Sequence, residues 1–335
     1  MVTFIIRRLI ASVFLLIIVA MITFAIFFLL PRLAGQTTYA LATQYVGRTP
    51  TRAEVLTVEQ QLGLNRPLYL QFGNFLKAIV VGKHYTAGPN TVYCPPPCLG
   101  YSFKNQLPVW PQMVSDIPVT LSLAIGASII WLVSGVSIGV LSALKRGTIF
   151  DRFSMGVALA GVSLPIFFTG LVLLEVFVYR WPILPAPTFV PFTQNPWQWA
   201  ENLILPWITL AFLYSALYAR LTRAGMLETM SEDYIRTARA KGLSERTVIT
   251  RHGMRAALTP IVTIFGMDLG LLLGGAVITE YTFGLHGLGL FTIEAIQNQD
   301  LPEILGVTML AAFFIVIANL FVDILYAYID PRVRH

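Results

Sequence analysis

Apolar residues fall along this chain in six long runs, residues 9–30, 117–144, 154–178, 203–219, 261–281 and 304–326. A helix needs roughly 17 to 25 residues to cross a bilayer, so the pattern predicts an all-α membrane protein with six transmembrane helices. The fourth run is the shortest. It carries Pro206, Trp207, Tyr214 and Tyr218, and such aromatic residues favour a membrane interface or a polar cavity over plain lipid. In the third run Pro165 lacks a backbone donor and predicts a kink. The fifth repeats glycine every four residues, at Gly266, Gly270 and Gly274, which predicts one bare helical face that another helix can approach closely.

Two polar stretches interrupt the apolar pattern. Residues 31–116 are polar and proline-rich, and within them 54–62 reads as a helix ended by Gly63. Residues 220–260 are basic. There Ser231 is placed to cap a helix of about two to three turns. Glu232 and Asp233 sit at its positive end, Arg239 and Lys241 at its negative end, and Gly242 offers a left-handed stop. Ser244 then caps a second helix running through Val248, Ile249 and Met254 toward Thr259 and Pro260. The expected organisation is an N-terminal transmembrane helix (1–30), an extracytoplasmic subregion (31–116) and a five-helix core (117–335) that includes the basic segment 220–260.

Composition removes the soluble classes. The chain is 56% hydrophobic and 12% charged with a mean hydropathy of +0.70, too apolar for an ordinary soluble domain. Its 23 Lys and Arg outnumber its 17 Asp and Glu, but they gather beside the apolar runs, as topology requires, and not in a patch suited to nucleic acid. Arg7 and Arg8 precede the first run, and Lys145, Arg146 and Arg152 join the second to the third. Arg220 to Arg255 follow the fourth, and Arg332 and Arg334 end the chain. The alternate loops 181–202 and 282–303 contain no Lys or Arg, so both termini are expected in the cytoplasm. The first run is too long for a signal peptide and is expected to remain. Asp323, near the inner surface, is expected to pair with a cytoplasmic arginine.

The run Tyr234-Ile235-Arg236-Thr237-Ala238-Arg239-Ala240-Lys241-Gly242-Leu243-Ser244, followed by Arg251-His252 and Leu258-Thr259-Pro260, resembles the cytoplasmic coupling motif of ABC importer permeases, in the form typical of the dipeptide and oligopeptide permease family. The paired-arginine start, residues 59–68, the hairpin 145–152, the turn 280–289 and the C-terminal 319–332 are also similar, leaving out only an insert from Gly82 to Cys98. The resemblance implies the type I importer permease fold. It also implies that Asp233, Tyr234, Arg236, Thr237, Ala238, Arg239, Ala240, Lys241, Gly242 and Leu243 dock into a groove of an ATPase subunit. Small residues at Ala238, Ala240 and Gly242 suit close backbone approach, and the flanking charges fix orientation. Further implications are a second permease subunit forming a heterodimer, two ATP-binding cassette subunits, an external substrate-binding protein and a bacterial or archaeal inner membrane. Peptides are the family's commonest cargo, with nickel complexes, glutathione and oligosaccharides as alternatives. No Gly-x-x-x-x-Gly-Lys-Ser/Thr run occurs, so no cofactor is expected on this chain, and ATP and Mg belong to the partner ATPases.

Both cysteines, Cys94 and Cys98, fall in the insert. An oxidising compartment predicts a bridge, but three extended prolines advance about 3.1 Å per residue and would hold the sulfurs apart. A tight turn, such as one with a cis proline, is therefore required. A zinc site is the weaker alternative, since two cysteines supply half of one. Asp268 lies opposite the glycine face. An intramembrane carboxylate either borders a polar route or packs hydrogen-bonded against a partner, and the sequence leaves both open. Gly135-Val136-Ser137-Ile138-Gly139 has the form of a serine hydrolase elbow but lacks its strand-to-helix context and a histidine in the apolar runs. Close helix packing explains it better. An ion-coupled secondary transporter is the remaining rival, and no inverted repeat supports it.

Overall fold

The computed structural model describes residues 2–46, 50–87 and 90–329. Arg332 and Arg334, expected to end the chain in the cytoplasm, lie outside the described residues. Helices dominate; the strands among the described residues form two small antiparallel hairpins, Lys83–Ala87 with Asn90–Cys94 and Tyr101–Ser102 with Leu107–Pro108. Among the described residues four helices are long and apolar enough to cross a membrane, or up to six spans if each of two bent helix pairs is one span. The chain divides into two compact units, residues 1–120, 273–277 and 286–335 in one, 121–272 and 278–285 in the other.

In the first unit the helix Val2–Phe24 passes through a π-helical stretch, Ala25–Leu29, into Leu30–Leu33. Phe24 and Phe28 stack at 4.5 Å and join Leu41, Tyr45, Val55 and Val58 in its core. Arg8 pairs with Asp323 at 2.8 Å, the partner expected for that carboxylate. The helix Arg52–Leu62 starts two residues before the predicted one because Thr51 and Glu54 form a capping box, and it ends at Gly63 with φ +66°. After the helix Leu68–Val81 the insert folds as the longer hairpin. Cys94 and Cys98 are joined by a disulfide with Cα atoms 5.5 Å apart, and the Pro96-Pro97 peptide is cis. The following loop is tied down by Ser102 Oγ donating to Asp300, Asn105 Nδ2 to Glu303 at 2.8 Å, and Lys104 Nζ to the carbonyls of Asn298 and Gln299.

The second unit packs residues 121–144 of the helix Val109–Leu144 with the helices Ile149–Ser163 and Pro196–Met230. Gly135 and Gly139 lie against the last of these. A Cβ on Gly139 would stand 2.6 Å from Ala219 O and Thr222 Cβ, and one on Gly135 2.8 Å from Tyr218 Cβ. The Gly-x-Ser-x-Gly string is thus mid-helix packing, not a nucleophile elbow. Gly139→Ala is expected to lower stability by about 1 kcal/mol through overpacking. Ser137→Ala, at an exposed helical position, should leave the thermal midpoint unchanged.

Four spans differ from the sequence expectation. The second begins at Val109 and not at Ile117, so residues 109–116 belong to its helix. The fourth is the 35-residue helix Pro196–Met230 in place of 203–219. Asn195 caps it by accepting from the N–H groups of Trp197 and Gln198, and Pro196 opens it. At its far end Ser231 closes this helix, its hydroxyl donating to Glu228 O at 2.6 Å, so Glu232 and not Ser231 is the N-cap of the next. At Pro165 the third span is broken and not merely kinked: Ile149–Ser163 and Ile166–Arg180 meet at 102°. Leu164 is driven to extended geometry, φ −85° and ψ 130°, by the proline that follows it. The fifth run breaks at its glycines. The helix Thr259–Leu273 stops before Gly274, and Gly275 adopts φ +128°, open only to glycine, before Val277–Phe283 begins.

Candidate coupling surface and pathway residues

The helix Asp233–Ala240 is held from one side and open on the other. Ile235 and Ala238 are buried against Val248 and Met230. The helix ends in a Schellman turn: Gly242 N–H donates to Arg239 O at 2.9 Å, Leu243 N–H to Ala238 O at 3.4 Å, and Gly242 takes φ +78°. Ser244 then caps the next helix by accepting from Thr247 N–H. Across this corner Arg239 grips Glu245 with two hydrogen bonds, Nη2 to Oε1 at 2.6 Å and Nε to Oε2 at 3.1 Å. Those bonds raise the Arg239 guanidinium and lower the Glu245 carboxyl from their ordinary values. Asp233 meets Arg236 at 3.4 Å.

This geometry sorts the residues expected to dock. Asp233, Tyr234, Arg236, Thr237, Arg239, Ala240, Lys241, Gly242 and Leu243 are all exposed, and Tyr234 and Leu243 leave 45% and 41% of their surfaces open. Ala238 is different. Its methyl group faces the chain's own Val248, so it shapes the helix's seat and is not on the open face. Gly242 has open space where a Cβ would stand; its backbone conformation, not close contact within this chain, demands glycine.

A half-buried ion pair seats the preceding helix. Arg223 donates through Nε to Asp151 Oδ1 at 2.6 Å and through Nη2 to Oδ2 at 2.8 Å, and Gly147 N–H adds a bond to Oδ2 at 2.9 Å. The hairpin 145–152 is thereby clamped to the helix that leads into the coupling segment. Seventy-two positions separate the partners, and no local spacing points to the pair.

The second group surrounds Asp268. Tyr218 O–H donates to Asp268 Oδ2 at 2.8 Å, Trp131 and Tyr214 stack at 4.6 Å, and Phe265 lies 6.2 Å from Trp131. Tyr218 and Trp131 are fully buried, whereas Asp268 is half-buried. Tyr214 and Tyr218 are one turn apart, a spacing visible in the sequence; that Asp268 answers one of them is not. Gly266 and Gly270 are buried on the same helix, while Gly274 stands beyond its end, so the bare face comprises two glycines and not three. Pro165 is the N-cap of Ile166–Leu174 at the break. Among the described residues no three His, Cys, Asp or Glu side chains gather as metal ligands would.

The pattern of the family described as binding-protein-dependent transport system inner membrane component matches residues 135–335, and that of its N-terminal region matches residues 1–124. The dipeptide transport system permease protein DppB of Escherichia coli (strain K12) is 36% identical over 358 aligned positions, covering all of this chain and 99% of the relative. The protein of the same name from Alkalihalophilus pseudofirmus is 34% identical over 355 positions, covering all of both chains. Full-length identity at this level, together with a helical architecture of up to six spans, admits one reading: this chain belongs to the family of binding-protein-dependent transport system inner membrane components, as a multi-pass permease subunit of an ABC transporter.

Proposed function

We propose that the chain forms half of a translocation pathway for peptides, in partnership with a second permease subunit, two ATP-binding cassette subunits and an external substrate-binding protein. The observation that carries this reading is the exposed face of residues 233–243, backed by Ile235, Val248 and the Arg239–Glu245 clamp. A rigid, charged helix end with two exposed apolar side chains suits a docked partner better than a solvated loop. ATP and Mg are bound by the partner subunits, and their closure moves the coupling segment. Through Arg223 and Asp151 that motion reaches the hairpin 145–152. ATP acts only by favouring one conformation over another. Peptide cargo is supported by the names of the full-length relatives, and a cytoplasmic position for both termini by the loop charges. Asp268 borders the route, half-buried and anchored by Tyr218.

Native mass spectrometry of the complex extracted in mild detergent tests the assembly. ATP-binding chains and a second, different permease are expected to accompany this one. A complex that retains this chain alone, with uptake of labelled peptide surviving ATP depletion, would overturn the reading.

A further inference from the structure

The helices Arg52–Leu62 and Leu68–Val81 and the strand Lys83–Ala87 enclose an open pocket of about 390 Å³. Arg66, Lys77, Lys83 and His84 line it beside the amides of Gln60 and Asn74, and no carboxylate is among its lining residues. Its walls are fixed. The Gln61 side chain donates to Thr86 O at 2.6 Å and accepts from Thr86 N–H at 3.1 Å, while Lys83 Nζ donates to Gln61 O at 2.8 Å. The His84 ring rests 4.7 Å from that of Tyr93. Burial, and after it the nearby Arg66, pushes the Lys83 ammonium below its ordinary range.

One wall of this pocket also carries an uncovered apolar surface. Tyr69, Leu70, Val80 and Val81 of the Leu68–Val81 helix are 73%, 46%, 74% and 57% exposed. Lys77 emerges three and four positions before the two valines, on the same face. A short helix that shows an apolar face flanked by lysine lies in a membrane interface, its apolar residues among acyl chains and its cations at the level of the phosphates. In a chain that spans a membrane, acyl chains are at hand to cover such a face.

We propose that this pocket binds the phosphate headgroup of an anionic phospholipid from the bordering leaflet. The basic groups select the charge and the exposed helix face holds the chains, so a lipid and not a free anion is the ligand. The test uses the full-length protein purified with its partner subunits, titrated with phosphatidylglycerol and, separately, phosphatidylcholine, with bound lipid read by native mass spectrometry. Phosphatidylglycerol should bind more tightly. Arg66→Gln and Lys77→Gln, both at exposed positions, should each weaken it roughly fivefold per neutralised charge, leaving phosphatidylcholine binding and the thermal midpoint unchanged. Lys77→Arg should retain the lipid. Equal affinity for the two lipids, full retention in both glutamine variants, or displacement of phosphatidylglycerol by millimolar inorganic phosphate would each overturn the proposal. None of these outcomes bears on which subunits assemble.

Discussion

Tyr234→Ala is expected to weaken association of the ATP-binding subunit by roughly 2 kcal/mol, about thirtyfold, with the membrane spans still inserted and folded. Tyr234 is exposed on the coupling helix while its neighbour Ile235 is buried in the helix's seat. Truncating Tyr234 therefore removes contact area offered to a partner and leaves the packing of this chain intact. A large amphipathic ring on a rigid backbone is the side chain that most often dominates such a contact. Ile235→Ala gives the contrast: it empties the seat against Val248 and Met230 and should lower the chain's own stability along with association. Pull-down of the ATPase on the detergent-extracted variants, paired with their thermal midpoints, separates the two. Tyr234→Ala with wild-type association, or with a midpoint lowered as far as in Ile235→Ala, would remove this residue from the docking face.

The parts of this molecule legible in its sequence are those encoded by neighbours along the chain. Gly242 as a left-handed stop, Ser244 as a cap and Gly63 as a helix end each follow from one residue's backbone or hydrogen-bonding chemistry, and the structure has all three. Apolar run length likewise marked the helices long enough to span, because burial in lipid demands it of contiguous residues. Helix limits were harder. Ser231 is an acceptable cap by type, but Pro196–Met230 extends to its doorstep and claims it as a terminus. Competition between adjoining helices for one residue is not written in that residue. The split of the fifth run at Gly274 and Gly275 shows glycine's two uses in conflict: the same residue type that bares a helical face also permits φ +128°, and tertiary packing decides between them. Contacts made across the sequence, such as Arg223 with Asp151 or Tyr218 with Asp268, were beyond any spacing argument.

Replacing Asp268 separates a packing carboxylate from one that borders the route, because asparagine and leucine remove different things. Asp268→Asn keeps an acceptor for Tyr218 O–H and nearly the same shape, so assembly and thermal midpoint should stay within about 0.5 kcal/mol of wild type. Peptide uptake should fall several-fold, since only the charge is lost. Asp268→Leu leaves the fully buried Tyr218 hydroxyl without its partner, at a cost of about 2 kcal/mol. Adding Tyr218→Phe to that variant should recover most of the loss, because the orphaned group is gone. Tyr218→Phe alone should be milder than Asp268→Leu, since the half-buried carboxylate can reach water. The four stabilities form a double-mutant cycle whose coupling measures the hydrogen bond, while uptake by the asparagine variant measures the charge. If Asp268→Asn transports as well as wild type, and the cycle still shows coupling, the carboxylate serves packing alone and the route passes elsewhere.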